Sequence, residues 1–368
     1  MENPMHKYER VETYIRELIR SKQIGCGEKI PSENELTRRF GLSRCTVRHA
    51  IDQLVSAGML EKRHGSGTFV RASGTGERSA GRTVGILITY VDDYIFPSII
   101  RGAETVLTQQ RYAISLGITH NKVEKERLCL QSMLERGVDG LLIEGTKSAL
   151  PNPNLDLLRQ FDERHIPVVF LHSGYEAFAA SCVRMDDEKS GFLAGDYLIR
   201  RGHTRIAAFF KSDDMQGHRR YEGFLRSMHD HGLTVDENAV IWYTTEDIPT
   251  LFGGESDGVL RGRLDGATAV VCYNDQIALQ TVRLLERLGL RVPQDVSVIG
   301  FDDSDLCRLS SVGLTSVAHA HQAIGRAAAQ GLLGLIGGGR PFARRLTPRL
   351  VVRESVRDIR PDAVPGPG

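Results

Sequence analysis

Between Ser43 and Leu54 the apolar residues Val47, Ala50, Ile51 and Leu54 recur at i, i+3, i+4 and i+7. That spacing predicts the buried stripe of an amphipathic helix, with Ser43 standing where an N-cap belongs. The same period in Val11, Ile15, Leu18 and Ile19 predicts an earlier helix over residues 8–21. Between the two, the segment KIPSENEL (residues 29–36) carries Ser32 followed three residues later by Glu35. This capping box starts a second helix that runs to about Phe40, where Gly41 ends it. Helix, short glycine turn and helix make a helix-turn-helix. Past Gly58, MLEKRHGSGTFV alternates as two short strands around Gly65 and Gly67. They form a β-hairpin with Lys62, Arg63 and His64 near its tip.

Residues 72–82 are Gly/Ser-rich and aperiodic, which reads as a linker after a first domain at 1–71. Beyond them the pattern changes. Apolar runs at 83–89, 112–116, 140–143 and 167–171 alternate with helical segments near 100–110, 122–136 and 153–164. The alternation resumes with runs at 206–210, 240–242, 269–272 and 296–299. Repeated βα units predict α/β architecture with parallel sheets, and the length suits two Rossmann-like lobes within residues 83–360. The Pro/Gly-rich tail 361–368 is expected to be disordered.

The charge is uneven. Residues 1–72 hold 13 Lys/Arg against 9 Asp/Glu, while the remainder holds 34 against 37. A basic head on a slightly acidic body suits a nucleic-acid module joined to something else. Arg44 and Arg48 lie one turn apart on the front of the third helix, away from its apolar stripe, and suit guanine edges or phosphates in a major groove. Lys29, Lys62 and Arg63 suit phosphates, and a basic hairpin beside such a helix is a wing. The six cysteines form no CxxC pair and no stretch reads as a signal peptide or membrane span, so reduced thiols in a cytoplasm are expected.

Enzymatic readings find little support. No GxGxxG follows the first strand, no GxSxG elbow appears, and no His/Cys/Asp cluster has metal-ligand spacing. Ligands of open α/β sheets bind beyond the carboxyl ends of the strands. Those positions carry Tyr90 to Phe96, Glu144, His172, the Asn274-Asp275 pair and the Asp302-Asp303 pair. Acids, an amide, an arginine and aromatics converging on a cleft suit a small polyhydroxylated ligand. The three pairs Asp186-Asp187, Asn274-Asp275 and Asp302-Asp303 also precede helices and serve equally well as caps, and for the first of them the cap is preferred.

Residues 6–71 resemble the GntR-type winged helix, through P-S-E-x-x-L, S-R-x-T-V-R and H-G-x-G-T-F-V. The resemblance implies contact with double-stranded operator DNA through Ser32, Glu33, Ser43, Arg44, Thr46, Arg48, His64 and Gly65, beside the lysines and Arg63 above. The body resembles the LacI/GalR type of periplasmic-binding-protein-like effector domain, through GVDGLLIEG, RYEGF, CYNDQIAL and VPQDVSVIGFDD. Carried over by motif, Arg220, Asp275 and His319 meet the sugar, joining Tyr90, Phe96, Glu144 and His172. The combination, with DYIFPSIIRG, EGTKSAL and MQGHRRYEGF, resembles the arabinose-operon repressor family. His172 replaces the small polar residue expected there. The resemblance implies a transcription repressor released by L-arabinose or a related sugar, with no cofactor or metal. A homodimer is expected, held through amphipathic helices near 96–108.

Overall fold

The computed structural model describes residues 8–20, 23–25, 27–56, 59–63, 66–70, 82–91 and 95–361. They fall into two compact units, Met1–Gly81 and Arg82–Gly368.

In the first unit α1 (Glu9–Arg20), α2 (Glu33–Phe40) and α3 (Arg44–Ser56) precede a hairpin of β1 (Leu60–Arg63) and β2 (Gly67–Val70). Ser32 and Glu35 close the capping box, the Glu35 amide reaching Ser32 Oγ at 3.3 Å and the Ser32 amide reaching Glu35 Oε2 at 2.7 Å. Gly41 turns the chain at φ 63°, a left-handed conformation that glycine adopts without penalty. Ser43 Oγ accepts from the Thr46 amide at 3.2 Å and starts α3. Val11, Ile15, Leu36, Val47, Ala50, Ile51, Leu54 and Leu60 are at most 1% exposed and close one core. Leu60 pairs with Val70 and Arg63 with Gly67 in antiparallel register. Residues 27–30 brace the hairpin through Ile30 N to Thr68 O at 3.0 Å and Val70 N to Glu28 O at 2.8 Å.

The second unit has two lobes. The first is built from β3 (Arg82–Ile88), α4 (Phe96–Gln109), β4 (Tyr112–Ile118), α5 (Val123–Arg136), β5 (Gly140–Glu144), α6 (Leu155–Glu163), β6 (Val168–Leu171) and β7 (Ser181–Met185). The chain then crosses to α7 (Asp187–Ile199), β8 (Ile206–Lys211), α8 (Met215–Asp230), β9 (Val240–Tyr243), α9 (Ile248–Phe252) and α10 (Asp257–Arg263). The second lobe continues with β10 (Ala269–Cys272), α11 (Asp275–Arg287), β11 (Ser297–Asp302), α12 (Leu306–Leu309) and β12 (Thr315–Ala318). A second crossing at residues 319–320 leads to α13 (His321–Ile336) and β13 (Ala343–Leu346), back on the first lobe. A third delivers β14 (Arg349–Val351) to the second.

The strand orders are β13-β7-β6-β5-β3-β4 and β14-β12-β11-β10-β8-β9. Neighbours run parallel except β12 with β14. Continuous apolar runs such as Ala269–Cys272 fit strands covered on both faces. Apolar clusters lie on both sides of each sheet.

Three expectations change. Arg82 is the first residue of β3 rather than the end of the linker, while 71–81 and the tail beyond Pro361 lie outside the described residues. Strands β7 and β13 escape the apolar pattern, because SCVRM and ARRL bury little on one face. The apolar side of α4 does not offer itself to a second copy, since Ile99 and Ala103 are buried against α13 of the same lobe. Its outward residues are Arg101, Glu104, Thr105 and Thr108.

Helices α7 and α8 touch backbone to backbone. A Cβ at Gly191 would collide with the Arg220 carbonyl, and one at Gly223 with the Glu188 carbonyl. Gly334, exposed in α13, has open space where its Cβ would stand. Gly223→Ala should therefore lower stability by ~1–3 kcal/mol. Gly334→Ala should raise it by ~0.5–1 kcal/mol. Urea midpoints of the two variants check the contrast.

Candidate functional site

A cleft of about 310 Å³ opens between the lobes at the carboxyl ends of the strands. The first lobe contributes Thr89, Tyr90, Phe96 and Glu144. Glu144 is fixed by its neighbours: Oε2 accepts from the Thr89 amide at 3.1 Å and its hydroxyl at 2.6 Å, and Oε1 lies 3.3 Å from His172 Nδ1. The second lobe contributes Lys211, Arg220, Asp302 and the aromatic rings of Tyr243 and Tyr273.

Arg220, 3% exposed, organises this wall. Its guanidinium donates to Asp187 Oδ1 at 3.2 Å, to the Tyr273 carbonyl at 2.6 Å and to Asp302 Oδ1 at 3.2 Å. Burial works against its charge, but Asp302 and Asp187 outweigh that and push its pKa up. Burial raises the Asp187 carboxyl, with Arg220 opposing. Lys211, at the end of β8, lies 3.6 Å from Asp213 Oδ1. Burial disfavours its ammonium, yet Asp214 and Asp213 hold its pKa above the ordinary value. Positive φ at Asp302 (100°) and Asp303 (52°) concentrates backbone strain here, a common mark of a functional site.

The lobes are joined across the cleft by polar contacts. Asn121 Nδ2 reaches Asp213 Oδ2 at 3.1 Å and Thr245 Oγ1 at 2.8 Å. Ser148 Oγ donates to Asp214 Oδ1 at 3.0 Å, and Lys147 Nζ meets Glu246 Oε1 at 2.8 Å. Behind the first-lobe side, buried Glu126 accepts from the Thr146 amide, Asn152, Asn154 and Tyr175, and so shapes the loop carrying Lys147 and Ser148.

Of the seven residues expected around a ligand, Tyr90, Phe96, Glu144 and Arg220 line the cleft. Asp275, His172 and His319 stand behind that lining rather than in it. Asp275 is fully buried, its Oδ2 accepting from the Ser304 amide at 2.8 Å and hydroxyl at 3.0 Å and its Oδ1 from Ser316 Oγ at 2.7 Å. Its neighbour Asn274 is the cap, accepting from the Ile277 amide at 2.9 Å. His172 supports Glu144 from behind and packs on His319, their ring centroids 5.0 Å apart. His319 occupies the second crossing, stacked 4.8 Å from His321. Burial, with His172 and His321 beside it, pushes its pKa well down. Lys211 went unnoticed, although the rule of looking past each strand end applies to β8 as to the others. Asp186 does cap α7, accepting from the Lys189 amide at 3.1 Å, whereas Asp187 turns inward to Arg220.

In the first unit, Arg44 and Arg48 are both exposed on α3. Arg48 is held by Glu33, Nη2 to Oε2 at 2.9 Å and Nε to Oε1 at 3.3 Å. Lys62 pairs with Asp52 at 2.5 Å. Exposed pairs of this kind exchange readily for phosphate or base partners. Lys29 is exposed beside the hairpin, bridged to Phe69, while Ser32 and Ser43 use their hydroxyls as caps and Thr46 is half-buried beside Ser43. The Arg63 side chain, His64 and Gly65 lie outside the described residues. Among the described residues no group of three or more His, Cys, Asp or Glu is placed to hold a metal, and no helix is long and apolar enough to cross a membrane.

Comparisons with known proteins divide the chain in the same way. Residues 7–70 match the bacterial regulatory proteins of the gntR family, and residues 196–356 match a periplasmic binding protein-like domain. An arabinose metabolism transcriptional repressor of Geobacillus stearothermophilus is 39% identical over 365 residues, 97% of this chain and 100% of the relative. Its counterpart in Halalkalibacterium halodurans is 34% identical over 96% of this chain and 97% of its own. A LacI family transcriptional regulator from Enterococcus faecium, solved with bound ribose, superposes with a TM-score of 0.64 at 27% identity, covering 76% of this chain and 100% of that one.

Burial, together with Asp302, pushes the Asp275 carboxyl up to about 7, far above its ordinary value. A raised folded-state pKa means the folded form binds the extra proton. The associated stability is complete below pH ~4 and is lost as pH rises through ~7. Asp275→Asn imitates the protonated form, its amide able to donate to Ser316. The variant should match wild type near pH 4 and gain on it progressively to pH 8, by on the order of 2–4 kcal/mol. Urea unfolding across that range measures the difference, and a flat difference would refute the assignment.

Proposed function

The chain belongs to the family of arabinose metabolism transcriptional repressors and is a sugar-responsive, DNA-binding repressor, and we propose that its effector is L-arabinose, which releases it from its operator. The observation that carries the choice of a small neutral sugar is the cleft itself. At about 310 Å³ it suits one monosaccharide. Its charges are balanced between Glu144 and Asp302 on one hand and Lys211 and Arg220 on the other, so hydroxyls rather than a net charge are what it can satisfy. Tyr90, Phe96, Tyr243 and Tyr273 supply faces for sugar C–H patches. The sugar is the small-molecule partner, and no cofactor is required.

A ligand that touches both lobes favours the arrangement in which they close on it, by its differential affinity for the two states. A coupling of ~1–3 kcal/mol would loosen operator DNA roughly 5–150-fold, and DNA must weaken the sugar by the same factor. On the DNA side, Arg44 and Arg48 read bases while Lys29 and Lys62 hold phosphates. A two-fold operator calls for a homodimer, working in the cytoplasm where the DNA is.

Calorimetry with L-arabinose, D-ribose and D-xylose, with and without operator, tests the reading. L-arabinose should bind tightest and bind less tightly to the DNA complex. Equal affinity with and without DNA would rule out release, and a tighter D-ribose or D-xylose would reassign the effector. Glu144→Gln should weaken the sugar by about tenfold or more and leave operator binding intact. For DNA, Arg48→Ala should cost ~1–3 kcal/mol at the operator and flatten discrimination. Lys62→Ala should instead weaken all DNA alike and lower the salt slope by about one. Fluorescence anisotropy on operator and random duplexes separates the two effects.

A further inference from the structure

A second pocket, about 520 Å³, lies away from the cleft where the edge of the first-lobe sheet meets α8. Four arginines line it, Arg184, Arg219, Arg344 and Arg345, and the first, second and last of them bear on what it can hold. Arg184 of β7 and Arg345 of β13 stand directly opposite each other in the parallel register, where like charges destabilise a strand pair. Arg219 arrives from α8 of the other lobe and donates to Ser173 Oγ at 3.2 Å. Among the described residues Arg184 forms no ion pair, and Arg345 has only Asp186, at 3.7 Å. Glu176 stands exposed at the rim, and Asp187 is already committed to Arg220. Burial and the neighbouring Arg184 push the Arg219 pKa down. Charge on an edge strand can serve to block strand addition, which accounts for Arg344 and Arg345 on β13. It does not account for Arg184, one strand in, or for Arg219, from another lobe.

Guanidinium groups converging without enough carboxylates suit a phosphoryl dianion, which accepts paired N–H donors from each. The pocket is concave and continues past the arginines over Phe170, Phe178 and Cys182, leaving room for a carbon skeleton against aromatic faces. The hollow is open along Glu176 and Ala343–Arg345, and its limited volume favours a small molecule over an extended phosphorylated segment. We propose that this pocket is a second ligand site, taking a phosphate monoester of a small polyol with its phosphoryl group between Arg184, Arg345 and Arg219. Because Arg219 belongs to one lobe and the other two arginines to the other, the ligand ties the lobes together at a point separate from the sugar cleft.

Titration calorimetry on the full chain in phosphate-free buffer tests this, with glucose 6-phosphate, inorganic phosphate, sulfate and a phosphoserine peptide as probes. Glucose 6-phosphate should bind more tightly than inorganic phosphate, and Arg184→Gln and Arg345→Gln should each weaken it by about tenfold or more. The cleft variant Glu144→Gln should bind it as wild type does. Without ligand, Arg184→Gln should melt no lower than wild type, because it relieves a like-charge pair. The proposal is overturned if the arginine variants titrate like wild type, if Glu144→Gln loses the ligand, if sulfate competes equally, or if the phosphopeptide binds more tightly than the sugar phosphate.

Discussion

A guanidinium group shut away from water must be paired, and much of the second lobe follows from pairing Arg220. Breaking such a pair strands a buried charge, at a cost of about 3–5 kcal/mol. Its carboxylates come from distant parts of the chain, Asp187 at the first crossing and Asp302 at the end of β11. The Tyr273 carbonyl fixes the third direction. For all three to meet, α8 must lie hard against α7, which is why glycine stands at 191 and 223. The strained φ of Asp302 fits the same requirement: the backbone turns there so that one carboxylate oxygen faces the arginine.

Around this fixed wall the closure is made of reversible parts. Asn121, Lys147 and Ser148 meet Asp213, Asp214, Thr245 and Glu246 through hydrogen bonds and an ion pair rather than a packed apolar seam. Polar groups of that sort find water when separated, so opening exposes little that water cannot satisfy. The apolar clusters stay within their own lobes or bind a crossing helix to one of them.

Much of this was legible in the chain. The stripe Val47, Ala50, Ile51, Leu54, the Ser32–Glu35 box and the alternation of apolar runs with helical segments give the elements, because burial imposes their periods directly. Strand ends located Tyr90, Phe96 and Glu144, and the resemblance of RYEGF to the effector-domain family located Arg220. Side-chain direction was not legible. Asp275 and Asn274 are adjacent, yet one faces two serines beneath the sheet and the other caps the helix. His172 and His319 follow strands as a ligand contact would, but His172 backs Glu144 and packs on His319 at the second crossing. Strands β7 and β13 were hidden because SCVRM is short and broken by Arg184, and the edge strand ARRL exposes most of its residues, so neither makes an apolar run. Lys211 was hidden by its type, since a lysine at a strand end usually reads as a surface residue.

The chain passes between the lobes at three places, near Asp186, His319 and residues 347–348. One such strap would let the lobes swivel freely, and two would leave a twist. Three side by side behave like leaves of one flexure, soft to bending about a single line and stiff to everything else. The path of motion is then inscribed in the backbone before any ligand arrives. Residues at the mouth of the cleft decide which molecule is held and how firmly, while the straps decide what movement its capture produces. Sequence change can retune the first without rewriting the second, so one mechanical framework can serve many different small molecules.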